Sequence, residues 1–376
     1  MSEEPELLEE EEEVEELEVD SLELPCSQCG AEMVFDAAAA AMRCAHCAHT
    51  QPLQGEDAFA AVVERDLEQG LALGVERGLG LEVRSTRCKE CGATVSFGAT
   101  ETAKACEFCG SSQVMEQEGN RKLLRPESLV PFGVEEAQAR AKFATWLKGL
   151  WFRPNDLSSS ARADALVGVY VPYWTFDARV RSSWTAQSGT YYYVTKSYTD
   201  AQGNRKTRRV RKTRWRWTSG KRRDSFDDVL VCASRGLPRK LADKLSSFDT
   251  DALVAYRPQY LAGWRAEEYA VELNDGWTRA VQHMEARQRS RCSSDVPGDT
   301  QRFLKVQNAF SHETFKHVLL PIWISSYRYK DEPYRFLVNG QTGEVVGEAP
   351  WSWIKISLAV LGVIALGLGI AALSNM

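Results

Sequence analysis

The sequence predicts an α+β protein: two small four-cysteine zinc ribbons, a larger body rich in antiparallel sheet with helices, and one C-terminal transmembrane helix. Three observations predict it. Eight of the ten cysteines fall in four Cys-x-x-Cys pairs. The region from 121 to 349 is dominated by strand-like runs with a few helical stretches between them. Residues 356–373 read ISLAVLGVIALGLGIAAL, without a charge.

At roughly 100–200 residues per domain, 376 residues make two or three folded units. The net charge of −6 hides an asymmetry. Residues 1–20 carry eleven Glu and Asp20 with no Lys or Arg, so the remainder is basic at +6. The run 1–23 is therefore an acidic tail, expected to be disordered because its carboxylates repel one another. It is either solvated or docked on a basic surface, in this chain or another.

The ribbons, at 24–51 and 87–115, contain an internal repeat at an offset of 62, residues 26–51 against 88–113. Cys26-Ser27-Gln28-Cys29-Gly30-Ala31 matches Cys88-Lys89-Glu90-Cys91-Gly92-Ala93. Cys26, Cys29, Cys44 and Cys47 make one set of four thiolates; Cys88, Cys91, Cys106 and Cys109 make the second. Two thiolates on a tight knuckle supply half a tetrahedral site, and the gap between pairs is one hairpin's worth of chain. Two structural zinc ions are expected, with an iron–sulfur cluster as the competing reading. His46 and His49 flank Cys47, but their counterparts in the repeat are Phe108 and Ser111, which argues against their being ligands. Metal thiolates need reduced cysteine, and the chain opens without an export signal, so the cytosol is expected. Cys232 and Cys292 read as small buried residues. Residues 52–86 are expected to hold a helix (56–69) and a glycine-rich linker.

In the body, helices are expected at 133–150, 238–247 and 265–290. Strands are expected at 166–184, 188–199, 205–218, 226–233, 301–310, 316–329, 334–339 and 343–348, with a tight turn at Asn339-Gly340. Val171-Pro172-Tyr173-Trp174 echoes Leu320-Pro321-Ile322-Trp323, a pattern that two related β sheets or half-domains would give.

Residues 188–218 read as a basic hairpin. Eleven of the twenty-one residues 203–223 are Lys or Arg. Strand alternation puts Val210, Lys212, Arg214 and Arg216 on one face and Arg209, Arg211, Thr213, Trp215 and Trp217 on the other. Arg205, Lys206 and Arg208 extend the surface toward the turn. Anionic lipid, an acidic protein partner and nucleic acid are all chemically compatible with it, as is a solvated edge that resists aggregation.

No phosphate-binding loop, nucleophile elbow or metalloenzyme triplet is present in the sequence, so a non-enzymatic protein without a small-molecule substrate is expected. Residues 354–374 supply about the twenty residues that a membrane helix needs. Trp351 and Trp353 stand where aromatic rings favour the lipid–water interface, and Lys355 can snorkel. The basic body precedes the span, which places residues 1–353 in the cytosol and makes the span a tail anchor.

The chain also resembles a known family. The residues that carry the resemblance are the paired ribbons, Gly168-Val169-Tyr170-Val171-Pro172-Tyr173-Trp174, the segment from Tyr256 through Pro258 to Trp264, and Val338-Asn339-Gly340-Gln341-Thr342-Gly343-Glu344-Val345-Val346-Gly347 before the apolar run. Together they are similar to bacterial membrane-anchored double zinc-ribbon proteins, often labelled TFIIB-type zinc ribbon or primosomal protein N′ (replication factor Y)-like. The resemblance implies an inner-membrane scaffold or adaptor that recruits cytosolic proteins, in an envelope-stress assembly of the SPFH or phage-shock-protein-A type. A membrane-tethered nucleic-acid-binding protein is the alternative.

Overall fold

The two Pro-Tyr-Trp and Pro-Ile-Trp echoes are neighbours. Val171 lies opposite Leu320 and Tyr170 opposite Pro321 in one antiparallel ladder. The echo thus marks two central strands of a single sheet rather than two half-domains. The computed structural model describes residues 25–36, 39, 41–52, 63–72, 84–97, 105–118, 123–157, 162–163, 166–199, 203–245, 247–330 and 332–374. The acidic run 1–23, the first half of the expected 56–69 helix, the glycines at 74, 78 and 80, and the turn at 200–202 lie outside them.

The first ribbon contains β1 (Met33–Asp36), β2 (Ala41–Cys44) and β3 (Thr50–Pro52). Then come β4 (Arg65–Asp66) and α1 (Leu67–Ala72). The second ribbon contains β5 (Arg84–Cys88), β6 (Thr94–Phe97) and β7 (Val114–Glu118). The body continues with β8 (Ser128–Leu129), α2 (Glu136–Lys148), β9 (Arg162–Ala163), β10 (Val167–Thr199), β11 (Arg205–Phe226) and β12 (Val231–Cys232). It ends with α3 (Arg239–Ala242), β13 (Val254–Ala255), β14 (Arg265–Glu267), α4 (Leu273–Asp295), β15 (Thr300–Tyr329), β16 (Glu332–Asn339), β17 (Val345–Gly347) and α5 (Trp353–Ser374). Among the described residues, fourteen strands form one sheet and the first ribbon forms another.

Three strands are far longer than expected. β10 has 33 residues, a contour of about 110 Å at ~3.3 Å per residue. β11 has 22 and β15 has 30. The expected breaks near 185–187 and 311–315 are bulges, where the register shifts but the ladder continues. Each places a non-glycine residue at positive φ, Phe303 at 57° and His312 at 56°.

Burial along β10 changes in steps. From Val169 to Phe176 every residue is buried, so both faces are covered. Phe108 of the second ribbon and Leu241 of α3 cluster with Val169, Val171 and Tyr173 on one side. On the other, Tyr170 shares a cluster with Phe143 of α2, and Trp174 and Phe176 share one with Ala280 and Met284 of α4. Between Ala178 and Ala186 burial alternates, because α4 covers one face alone. Beyond Gly189 the strand has lost β15 as well.

Helix α4 begins at Leu273 rather than 265, since Arg265–Glu267 are taken into the sheet beside Val169 and Tyr170. Its buried stripe is Leu273, Gly276, Ala280, Met284, Gln288 and Cys292. Gly276 permits the approach: a Cβ there would stand 2.7 Å from Cδ1 of Trp174. The helix is pinned to β11 by Arg222 to Asp295 (2.7 Å) and by Gln288 to Asp224 (2.6 Å). The Arg222 guanidinium holds Asp224 down at about 2. The expected helix 238–247 is a single turn, Arg239–Ala242, preceded by Pro238.

Candidate metal centres and basic ribbon

Each cysteine quartet closes on itself, with no ligand exchanged between ribbons. In the first, Cys26 and Cys47 sulfurs stand 3.6 Å apart and Cys29 and Cys44 sulfurs 3.5 Å. In the second, Cys88 to Cys109 and Cys91 to Cys106 are both 3.6 Å. All four ligand atoms of a quartet lie within 4.8 Å of one another. Four sulfurs at about 2.3 Å from a common centre, placed tetrahedrally, would stand ~3.8 Å apart. A disulfide requires about 2.05 Å, so the spacing is that of a metal site.

Four knuckles build these sites. Gly30, Gly92 and Gly110 each donate their backbone N–H to the carbonyl of the first Cys of their pair, and Ala48 does the same to Cys44. All four residues adopt positive φ: 72°, 78° and 73° for the glycines, 59° for Ala48. The glycines have open space where a Cβ would go, so backbone conformation rather than crowding selects them. The amide of Cys47 also points at the Cys44 sulfur (3.5 Å), and this hydrogen bond leads the set that holds the Cys44 thiol at about 6. His49 points its Nε2 at the Ser27 hydroxyl (3.2 Å), outside the quartet.

The two ribbons attach differently. The first docks through the aromatic segment that follows Tyr256. The Phe35 amide donates to the Ala262 carbonyl (3.1 Å), the Trp264 indole donates to the Phe35 carbonyl (3.1 Å), and Phe35 meets the Tyr260 ring edge-on at 4.7 Å. The second is continuous with the body sheet, since β6 pairs with β14. Nothing in the spacing of its cysteines signals that continuity.

The basic hairpin is longer than 188–218: β10 and β11 pair without interruption from Ala178–Phe226 to Thr199–Arg205. Its last ten rungs, from Thr190–Arg214 outward, project past the end of β15 as a two-stranded ribbon. Arg205, Lys206, Arg208, Arg209, Arg211, Lys212 and Arg214 are exposed there, and at its base beside β15 Arg216 and Trp217 are exposed and Trp215 is half-buried. The register sets Lys212 opposite Tyr192 and Arg211 opposite Tyr193, so the two faces alternate as strand geometry requires. Guanidiniums lie over tyrosine rings on both faces: Arg211 on Tyr191 at 4.2 Å, Arg209 on Tyr193 at 5.0 Å, Arg214 on Tyr192 at 5.5 Å and Arg208 on Tyr198 at 5.6 Å. Such contacts hold long cationic side chains in defined positions. Arg302 of β15 lies over Trp215 at 4.1 Å and continues the series.

Among the described residues one helix, α5, is long and apolar enough to cross a membrane over Trp353–Ala371, and none of that stretch is buried. Trp351 and Trp353 are exposed at its start. Lys355 does not extend freely; its Nζ donates to the Trp151 carbonyl at 3.0 Å. The chain reaches α5 from β17, which lies with β16 at the Tyr329 end of β15. The basic ribbon lies past the Thr300 end, a contour of about 100 Å away.

Two buried ionisable sites were not foreseen. Glu267, beside β6, is fully buried, and that burial raises its carboxyl to about 8; its Oε1 accepts from the Ser234 hydroxyl at 2.8 Å. Lys316 is buried among Asp228 (2.8 Å), Glu64 (3.2 Å) and Asp177 (4.0 Å). Its ammonium supplies the positive charge that this group of acids needs. Neither site has a local motif; long-range strand pairing assembles both.

No family model matches the chain, and no solved structure matches it. Over 252 residues it is 27% identical to a Bacillus subtilis (strain 168) protein described as "Uncharacterized protein YdjG", covering 64% of this chain and 68% of that one.

Proposed function

We propose that the protein is a non-enzymatic, membrane-anchored adaptor: α5 holds it in the bacterial inner membrane, two structural zinc ions fix the ribbons, and the exposed surfaces recruit a cytosolic protein. The observation that carries this reading is that α5 and the basic ribbon leave one continuous sheet at opposite ends. A ribbon of pre-ordered guanidiniums held that far along the strand from the span suits an acidic protein surface. Zinc fits both quartets by spacing and by their all-thiolate donor set, and closed four-cysteine sites serve structure. The role agrees with the envelope-stress scaffold implied by the family resemblance.

The test is recruitment in native membranes by the full chain and by a variant with Arg208, Arg209, Arg211 and Arg214 exchanged for Gln. A protein companion lost from the variant, with membrane residence unchanged, supports the adaptor; the same companion at the same level in the variant contradicts recruitment through the ribbon.

A second reading, a tethered nucleic-acid-binding protein, draws on the exposed Tyr193, Tyr198 and Trp217 among the arginines. It predicts binding that falls steeply with salt.

A further inference from the structure

The loop after α2 exposes its aromatic side chains where the sequence gives no sign of a membrane contact. Trp151 is 80% exposed and Phe152 is 42% exposed. A soluble loop that presents two large aromatics is usually mobile or covered by a partner. This one is held from several sides. Leu157, at its end, is buried, and the Tyr329 hydroxyl donates to Asp156 at 3.0 Å.

Further attachments go to the start of α5 and the residues just before it. The Ser352 amide donates to the Phe152 carbonyl at 2.9 Å. Lys355 donates to the Trp151 carbonyl. Arg153 lays its guanidinium over the Trp351 ring at 3.7 Å and donates to the Ala349 carbonyl. Lys355 is two residues into the helix, about 3 Å along its axis from Trp353 at ~1.5 Å per residue. Trp151 therefore stands level with the first turn of the span. Trp151, Trp351 and Trp353 are all exposed at this end of the span.

We infer that the Trp151–Phe152 loop is a second membrane-contact element, seated at the lipid headgroup boundary beside the entry of α5. The inference rests on reading Trp353–Ala371 as a span. Indole rings favour that boundary because the apolar ring and the N–H donor are satisfied on opposite sides of it. The body is thereby bound to the bilayer at the loop as well as at the helix. The tilt of the sheet over the membrane is set by this pair of contacts rather than by a flexible link.

The test places photoreactive p-benzoylphenylalanine, one site at a time, at Trp151, Leu361 and Phe303 of the full chain. Each protein is reconstituted into phosphatidylethanolamine–phosphatidylglycerol vesicles. Leu361 lies within the span, and Phe303 is 62% exposed at the far end of β15. Lipid adducts at 151 and 361 but not at 303 are expected. Adducts at 361 with none at 151, or capture of a second polypeptide from 151, would overturn the inference and leave the span standing. No adduct at either 151 or 361 would overturn both.

Discussion

Gly236 faces the Phe108 ring so closely that a Cβ at 236 would fall 2.7 Å from Cδ1. Phe108 lies between Cys106 and Cys109, so the second metal knuckle is also a piece of the body core. The first ribbon also packs on the body, with Cys26, Met33, Phe35, Met42 and Cys44 in one buried cluster with Tyr260, Leu261 and Ala262, but its strands form a separate sheet and pair with no strand of the body. Loss of metal should therefore have unequal effects. Cys106→Ser should lower body stability by about 3 kcal/mol or more, since it frees a knuckle packed in the core. Cys29→Ser, which costs the same single metal ion, should lower it by less, because the strands of the first ribbon lie outside the body sheet. Metal content and thermal unfolding of the two variants in detergent check this; equal destabilisation would contradict it.

Ala48 occupies the position that glycine holds in the other three knuckles, at φ 59°. A Cβ in that conformation costs about 1 kcal/mol. Ala48→Gly should strengthen the first ribbon by roughly that amount. Release of its metal to a chelator should slow, with release from the second ribbon unchanged. Faster release from the first ribbon would contradict the assignment.

Glu267 gives a pH dependence with a defined sign. Its carboxyl stands at about 8 in the fold against 4.5 for an ordinary one. Between those values the folded protein keeps a proton that the unfolded chain has lost, so stability falls as pH rises through that range. Glu267→Gln keeps an acceptor for the Ser234 hydroxyl and removes the titration. Its stability should exceed that of the wild type at pH 8, and the gap should shrink toward pH 5. A gap that does not change with pH would count against burial as the cause.

How much of this was legible in the sequence depended on how local the signal was. The cysteine quartets, the apolar C-terminal helix and α2 all follow from short-range spacing, and the structure places them within a few residues of their expected bounds. The long strands were read as pairs of shorter ones. Phe303 and His312 interrupt the alternation, and a bulge without glycine leaves little local trace. The aromatic motifs were conspicuous but silent about purpose. Trp264 proves to clamp the first ribbon through Phe35, and Gly168 leaves the space that Trp264 and Trp323 fill, with a Cβ only 2.7 Å from the Trp264 ring. Those partners lie far apart in sequence, so periodicity could not pair them. The exposed Trp151 was missed for the same reason: its importance comes from Ser352 and Lys355, two hundred residues away.

The basic ribbon should tolerate loss of its charge structurally. Arg208, Arg209, Arg211 and Arg214 are exposed, and each makes a cation–ring contact worth roughly 0.5–1 kcal/mol at such a site. Exchanging all four for Gln should leave metal content and membrane residence intact. It should remove whatever acidic surface the ribbon holds. Loss of folding in that variant would show that the ribbon serves the body instead.

The most direct measurement is the composition of what accompanies the full-length protein out of native membranes in mild detergent, compared with the four-arginine variant. The adaptor account predicts a stoichiometric protein companion that resists nuclease and is lost from the variant. Nuclease-sensitive nucleic acid without such a companion would contradict it and make the ribbon a nucleic-acid-binding surface.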